Sequence, residues 1–299
     1  MDPAQLMFKP GLLNGKRILV TGGGTGLGKE MTEAYLALGA EVAILGRRGG
    51  VLEETAAALM AKHGGVVRAF PCDILQPDAV HDAIDRIWSE LGPLDALINN
   101  AAGNFIARTE DLSTRAFDAI ANIVFHGSFY VTLDVGKRWI AEKRPGSVVS
   151  MLATWVWTGS AFTVPSAMSK TALHAMTQSL AVEWGRYGIR LNAIAPGPFP
   201  TEGAWARLNP GDGSGGAGVG AGNPMGRVGR MEELCNLAVF LVAPGADYLT
   251  GQTIAIDGAA LQAGAGTFAR LMDWTDAQWA EARTAIQSAN QKDRAQRTP

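Results

Sequence analysis

Thr21-Gly-Gly-Gly-Thr-Gly-Leu-Gly28 is the stretch of this chain best suited to holding an anion. An apolar run, Arg17-Ile-Leu-Val20, leads into it, and a helix-forming run from Lys29 to Leu38 leads out. A strand, a glycine turn and a helix start together present backbone N–H groups with no carbonyl partner in the helix, and phosphate binds such groups. Thr21, Gly22, Gly24, Thr25, Gly26, Leu27 and Gly28 are the residues expected to line it. The spacing is T-G-x3-G-x-G, not G-x-G-x-x-G. By itself a glycine cluster also fits a turn that binds nothing.

Further chemistry-bearing positions fall at strand ends. Glu41-Val-Ala-Ile-Leu45 reads as a second buried strand, ending at Gly46-Arg47-Arg48. A dinucleotide fold places an acidic residue about 20 positions after the glycines, on the ribose 2′-hydroxyl. Two arginines stand here instead. A guanidinium favours a 2′-phosphate, so Arg47 and Arg48 favour NADP(H) over NAD(H). A solvated arginine pair is the plainer alternative. A third strand, Val66-Val-Arg-Ala-Phe70, ends at Cys72-Asp73-Ile74. Asp73 there suits an adenine amino group or a helix cap. After the strand Leu94-Asp-Ala-Leu-Ile98 come Asn99, Asn100, Ala101, Ala102 and Gly103, small enough for backbone to approach a flat cofactor. Later, Pro165-Ser166-Ala-Met-Ser-Lys170 opens a helix in which Ser166 and Lys170, at i and i+4, share one face.

These positions require elements in strict alternation. Helices are expected at about 26–38, 51–63, 77–91, 114–143, 165–186 and 230–242. Strands are expected at 146–152, 189–195 (ending at Pro196-Gly197-Pro198) and 253–256, besides those named. Strand–helix alternation implies a parallel sheet with helices on both faces, an α/β fold of the Rossmann-type, doubly wound kind. Residues 1–15 read as an N-terminal arm, 16–265 as one reductase-sized domain and 266–299 as a C-terminal extension. Residues 209–224 carry seven glycines and no apolar periodicity, which fits a substrate lid. Thr275-Asp-Ala-Gln278 fits a capping box for a short terminal helix, with Trp279, Ala282 and Ile286 on one stripe and fraying from Gln291.

Composition narrows the function classes. With 299 residues, 47% of them apolar, the chain can bury an extensive core as one large domain. A formal net charge of −2 argues against a nucleic-acid surface. Cys72 and Cys235, far apart in a chain with no secretory pattern, fit a reducing compartment better than a disulfide. The N-terminus lacks a basic region followed by an apolar one, and no apolar run of about 18 residues suggests a membrane span, so a soluble, cytoplasmic protein is expected. No His, Cys or carboxylate spacing suggests a metal.

Taken together, the glycine turn, Asn99-Asn100-Ala101, Lys170, Pro196-Gly197, Thr250-Gly251 and Asp257-Gly258 resemble the short-chain dehydrogenase/reductase superfamily from about Asn14 to Asp257. Within it the chain resembles 2,4-dienoyl-CoA reductases of the mitochondrial type. The stretches that carry this are Asn99–Ile106, Val164-Pro-Ser-Ala167, Ala181-Val-Glu-Trp-Gly185, Gly203-Ala204, Arg207-Leu208 and the Thr275–Trp279 helix start. The resemblance implies NADPH-dependent reduction of a dienoyl-CoA thioester to a 3-enoyl thioester, a reaction of fatty-acid β-oxidation. It also implies a homotetramer built through the helices at 114–143 and 165–186.

The superfamily's usual catalytic Tyr and Ser are replaced, by Ser166 and Ala153. Losing both is expected of dienoyl-CoA reductases. The resemblance assigns Lys170 to the nicotinamide ribose; Ser166 fits a hydrogen bond to the thioester oxygen or, more plainly, a helix-start residue after Pro165. The Tyr that serves as acid in the mitochondrial type falls on Trp155, and an assisting Asn on the long helix falls on His126. Imidazole titrates near neutrality, so His126 is expected to deliver the proton or polarise the carbonyl, unless it is a packed or interfacial histidine. Indole can only donate a hydrogen bond. Asn104, Phe105, Ile106, Trp155 and Trp157 are expected to line the acyl pocket, with loop packing the alternative for the two tryptophans, and Arg207 and Arg227 either meet CoA phosphates or are ordinary surface charge. His63, His81 and His174 read as structural. Two other readings stand beside this one: a reductase for a different acyl-CoA or hydrophobic carbonyl, and a catalytically silent NADP(H)-binding protein.

Overall fold

The apolar runs between turn signals become seven parallel strands in a computed structural model that describes residues 2–201, 223–265, 271 and 273–295. They are β1 (Arg17–Thr21), β2 (Glu41–Gly46), β3 (Val67–Pro71), β4 (Ala96–Asn99), β5 (Gly146–Met151), β6 (Ile189–Pro196) and β7 (Thr253–Ile256). Their order is β3-β2-β1-β4-β5-β6-β7. A sheet buried on both faces needs strands that are apolar throughout rather than alternating. Successive residues indeed serve opposite layers. Val20, Ile44, Ile98 and Val149 pack into one core. Leu19, Leu45, Leu97 and Val148 pack into the other.

Helices α1 (Gly26–Ala37), α2 (Gly49–His63) and α7 (Met231–Val242) cover the first face. Helices α3 (Pro77–Glu90), α5 (Ser128–Ala141) and α6 (Val164–Trp184) cover the second. Strand order reverses between β1 and β4, and in such sheets the crevice at the strands' carboxyl ends at that point takes the ligand. Every candidate cofactor residue of the sequence lies on a segment leaving that edge.

The expected helix at 114–143 is continuous over Thr114–Ala141, but α4 (Thr114–Ala121) passes into α5 through a π-helical turn, Asn122–Gly127. Its length and composition would suit a membrane span. Its apolar stripe, however, is used in the core: Val131, Val135 and Trp139 are fully buried, and the Trp139 indole N–H donates to Leu94 O at 2.7 Å.

Residues 1–15 are more than an arm. Leu13 is fully buried, Leu6, Phe8 and Leu12 pack on the first core, and the Met7 N–H donates to Asn236 Oδ1 of α7. After a short helix, α8 (Ala260–Ala265), the chain ends in α9 (Asp276–Ala295), which continues past Gln291, where fraying was expected. The capping box forms: the Thr275 N–H donates to Gln278 Oε1 and the Gln278 N–H to Thr275 Oγ1. The stripe it starts stays largely open, with Trp279 and Ile286 exposed. Cys72 and Cys235 are buried and unpaired thiols. Of the Gly-rich stretch at 209–224, all but Asn223 and Pro224 lies outside the described residues.

Candidate active site

The glycine turn is held open for a ligand by contacts no other residue type would allow. A Cβ on Gly28 would lie 2.3 Å from Gly22 O and 2.4 Å from Asn100 Nδ2. Gly22 and Gly26 take φ of +67° and +54°, where L side chains are strained. Thr25 is the N-cap of α1, yet its side chain caps nothing, so the first-turn N–H groups stay available to an anion. Thr21 lies beneath, 1% exposed, as the hub of the turn. Its hydroxyl donates to Ile98 O and accepts from the Asn100 and Ala101 N–H groups, both at 3.0 Å. Asn100 Nδ2 donates back to Thr21 O and Gly22 O. Thr21 and Asn100 therefore fasten β1 to β4 across the switch point.

Around that cradle, Arg47 and Arg48 stand exposed just past β2, with no carboxylate partner among the described residues. Asp73 is half-buried. One of its oxygens accepts the Leu75 N–H at 3.2 Å, closing a turn ahead of α3 and leaving the second oxygen available. Ile74 beside it packs where a Cβ on Gly127 would be, 2.6 Å away. Ala101 is half-buried and Ala102 exposed on the loop after β4. Gly197 follows Pro196 so closely packed that a Cβ would meet Asp257 Cα at 2.7 Å.

Lys170 lies on the first turns of α6, 7% exposed, with its ammonium donating to Met151 O at the end of β5. No carboxylate pairs with it among the described residues, and burial pushes its pKa down to about 8. Ser166 is 2% exposed one turn earlier, on the same helix face. Ala153, also buried, follows β5. Two loops close this end: the Ala107 N–H donates to Phe162 O at 2.9 Å, joining the segment after β4 to the one before α6. A glycine-shaped phosphate cradle at the end of β1, a buried lysine at the end of β5 and a doubly wound sheet together fit a nicotinamide dinucleotide.

The model of a family described as Enoyl-(Acyl carrier protein) reductase matches residues 22–259. The chain belongs to the short-chain dehydrogenase/reductase family. A Caenorhabditis elegans uncharacterized oxidoreductase is 44% identical over 289 residues, covering 95% of this chain and 92% of the relative. A probable 2,4-dienoyl-CoA reductase, (3E)-enoyl-CoA-producing, from the same organism is 41% identical, covering 97% and 95%. A solved short chain dehydrogenase from Bacillus anthracis superposes with a TM-score of 0.74 at 37% identity, covering 82% of this chain and 96% of that one. The protein is thus an NAD(P)-dependent short-chain dehydrogenase/reductase.

Among its relatives' chemistry, the structure separates the expected residues into those it gathers and those it does not. Lys170 and Ser166 come together. His126 does not join them. It sits exposed on the π-helical turn, with Nδ1 2.9 Å from Asn122 Oδ1 of its own helix, and it makes no hydrogen bond to Ser166 or Lys170. Val124 explains why. It is buried with Leu152, Leu173 and Met176, facing β5 and α6, and a residue two positions later points from the opposite side of a helix. His126 lies instead between Phe125 and Tyr130.

Arg227 is likewise committed elsewhere. Its guanidinium grips both carboxylate oxygens of Glu233, at 2.9 and 2.7 Å, and donates to Val228 O, so it is not a free phosphate ligand. That pairing holds the Glu233 carboxyl down at about 2. Arg207 lies outside the described residues. Of the expected acyl lining, Phe105 packs with Val156 onto the Leu152–Met176 cluster, and Asn104 Oδ1 accepts the Phe105 N–H. Ile106 and Trp157 are each 43% exposed, Trp157 with its ring edge-on to His174 of α6. Trp155 is half-buried between them in sequence. Two supports were illegible in the sequence. Met151 acts through a backbone carbonyl, which every residue has. Thr55 steadies the glycine turn by donating to Gly24 O from a distant helix.

Proposed function

We propose that this protein reduces 2,4-dienoyl-CoA thioesters with NADPH to 3-enoyl thioesters. The carrying observation is the buried Lys170 ammonium beside Ser166, in a site where the family's alcohol–ketone acid is replaced. Bound NADPH supplies a hydride to the substrate. The protein's own residues must then accommodate what hydride addition at Cδ creates: a double bond between Cβ and Cγ and negative charge on the thioester oxygen. Ser166 donates a hydrogen bond to that oxygen. Lys170, in a water-poor setting, lends positive field to it and a donor to the nicotinamide ribose. A water at the open mouth of the site brings the proton to Cα. Arg47 and Arg48 hold the 2′-phosphate, and Asp73 the adenine.

The relatives named as 2,4-dienoyl-CoA reductases support this substrate class. Exposed Phe129 on α5 and Val182 on α6, 38% and 85% accessible, support assembly through those helices as a tetramer. The deciding measurement is NADPH consumption with a dienoyl-CoA, the corresponding free acid and a simple ketone. Turnover specific to the thioester is expected. Equal efficiency on the free acid or ketone would move the protein to another carbonyl substrate. Cofactor binding without any turnover would make it a silent family member.

A further inference from the structure

Resting on that reading, we infer that Phe162 is a specificity-determining residue, forming with Ile106 a rim that covers the far end of the acyl chain. Three non-glycine residues among those described take positive φ: Lys143 at +54°, Phe162 at +63° and Ala259 at +66°. Two have local reasons. Lys143 follows the C-cap of α5, where a left-handed residue commonly ends a helix, and its N–H reaches Ile140 O. Ala259 is small, and its N–H donates to Asp257 Oδ1. Phe162 has no such reason. A bulky side chain in the left-handed region is a true outlier, and strain of this kind collects where function demands a particular residue. The fold itself makes little use of the ring, which is 59% exposed and belongs to none of the three apolar clusters. Glycine would hold the same turn without strain, and the chain does place one at +70° three residues earlier, Gly159.

The surroundings point to hydrocarbon. Phe162 stands between β5 and α6, next to Thr163, the N-cap of α6, and four residues before Ser166. Thr163 is buried, and its Oγ1 donates to Ser160 Oγ at 2.8 Å, which fixes the chain on the helix side. The Phe162 carbonyl accepts the Ala107 N–H at 2.9 Å. That bond draws in Ile106, itself 43% exposed, on the segment after β4. Two open apolar side chains are thereby brought to one junction, where the loops leaving the adjacent strands β4 and β5 join beside the switch point. Neither carries a polar group, so the junction suits a run of methylenes and not the phosphates or amides of the CoA arm. With the thioester oxygen on Ser166, the end of a long acyl chain crosses this junction and takes both side chains out of water.

The test compares 2,4-decadienoyl-CoA with 2,4-hexadienoyl-CoA, which is four methylenes shorter. Each methylene taken out of water contributes about fourfold in affinity, so covering two of the four is worth roughly 10- to 20-fold. Phe162→Gly removes the ring and releases the backbone, whereas Phe162→Ala removes the ring and keeps a side chain at positive φ. In both, the decadienoyl-to-hexadienoyl ratio of kcat/KM should fall by that factor. The fall should come through KM, because the contact is made equally in ground and transition states. Phe162→Leu, still apolar, should keep most of the ratio. Calorimetric binding of decanoyl-CoA and of CoA itself, with NADP+ present, reads the contact without turnover. Both truncations should lose decanoyl-CoA affinity by the same factor relative to CoA. Given native turnover, an unchanged ratio in Phe162→Gly, or equal losses for decanoyl-CoA and CoA, overturns this inference alone. So does a fall in Phe162→Gly that Phe162→Ala does not share, since it would trace to the backbone and not the ring. Absence of dienoyl-CoA turnover by the native protein overturns the reading beneath it, and this inference with it.

Discussion

The ammonium of Lys170 donates to the backbone carbonyl of Met151, and no carboxylate among the described residues pairs with it. A neutral dipole holds the charge in place without neutralising it. The charge remains to be used by whatever anion enters the site, and it is maintained against burial that pushes the pKa down to about 8.

Activity should accordingly fall on the alkaline side. The charged form is dominant below about pH 8 and lost above it, so kcat/KM for NADPH, which reports the free enzyme, should decline as pH rises through that value. A profile flat to well above pH 9 would show that the ammonium is not needed. Stability has the opposite sign. The folded state binds fewer protons than the unfolded chain between about 8 and the ordinary lysine value near 10.4, so the contribution of this group to stability rises with pH across that window. Lys170→Met should thus be inactive yet more stable at neutral pH, by on the order of 1–3 kcal/mol, as read in chemical denaturation.

Arg47 stands exposed just past β2, with no carboxylate partner among the described residues, ready for a 2′-phosphate. Charge-assisted hydrogen bonds of that kind contribute on the order of 1.5–3 kcal/mol, which is roughly 10- to 150-fold in affinity. Arg47→Ala should weaken NADPH by that factor and leave NADH nearly unchanged in a binding titration. A native protein that binds both cofactors equally would refute the assignment.

His126→Ala should keep kcat within about threefold of the native value, because the imidazole is bonded to Asn122 on the exposed side of its helix. General acids usually contribute roughly 10²–10⁴-fold. A loss of that size in single-turnover kinetics would return His126 to the proton-transfer step.

Gly28→Ala should abolish cofactor binding and destabilise the fold. The new methyl would meet the backbone oxygen of Gly22 at 2.3 Å, and backbone in a turn pinned by Asn100 has nowhere to go. Overpacking of this kind costs about 1–3 kcal/mol or more. Circular-dichroism melting and NADPH titration would read the two effects separately.

Much of this was written in residue type and spacing. Gly22, Gly26 and Gly28 announce a turn that other residues cannot make, and the alternation of apolar runs with helical periods dictates a parallel sheet. Such features depend on local sterics and on a period that survives in one dimension. Ser166 and Lys170 were legible together because four residues on a helix bring side chains to one face. His126 and Arg227 were not, because their sequence positions do not say which way a side chain turns or what is already waiting for it. Val124 had to be buried for His126 to face outward, and α7 had to bring Glu233 up to Arg227. Trp155 is the sharpest case. The sequence determined that an indole stands there, but only packing of the chain around it decided that its N–H would be enclosed without a partner among the described residues, since the lack of an acceptor depends on every neighbour at once.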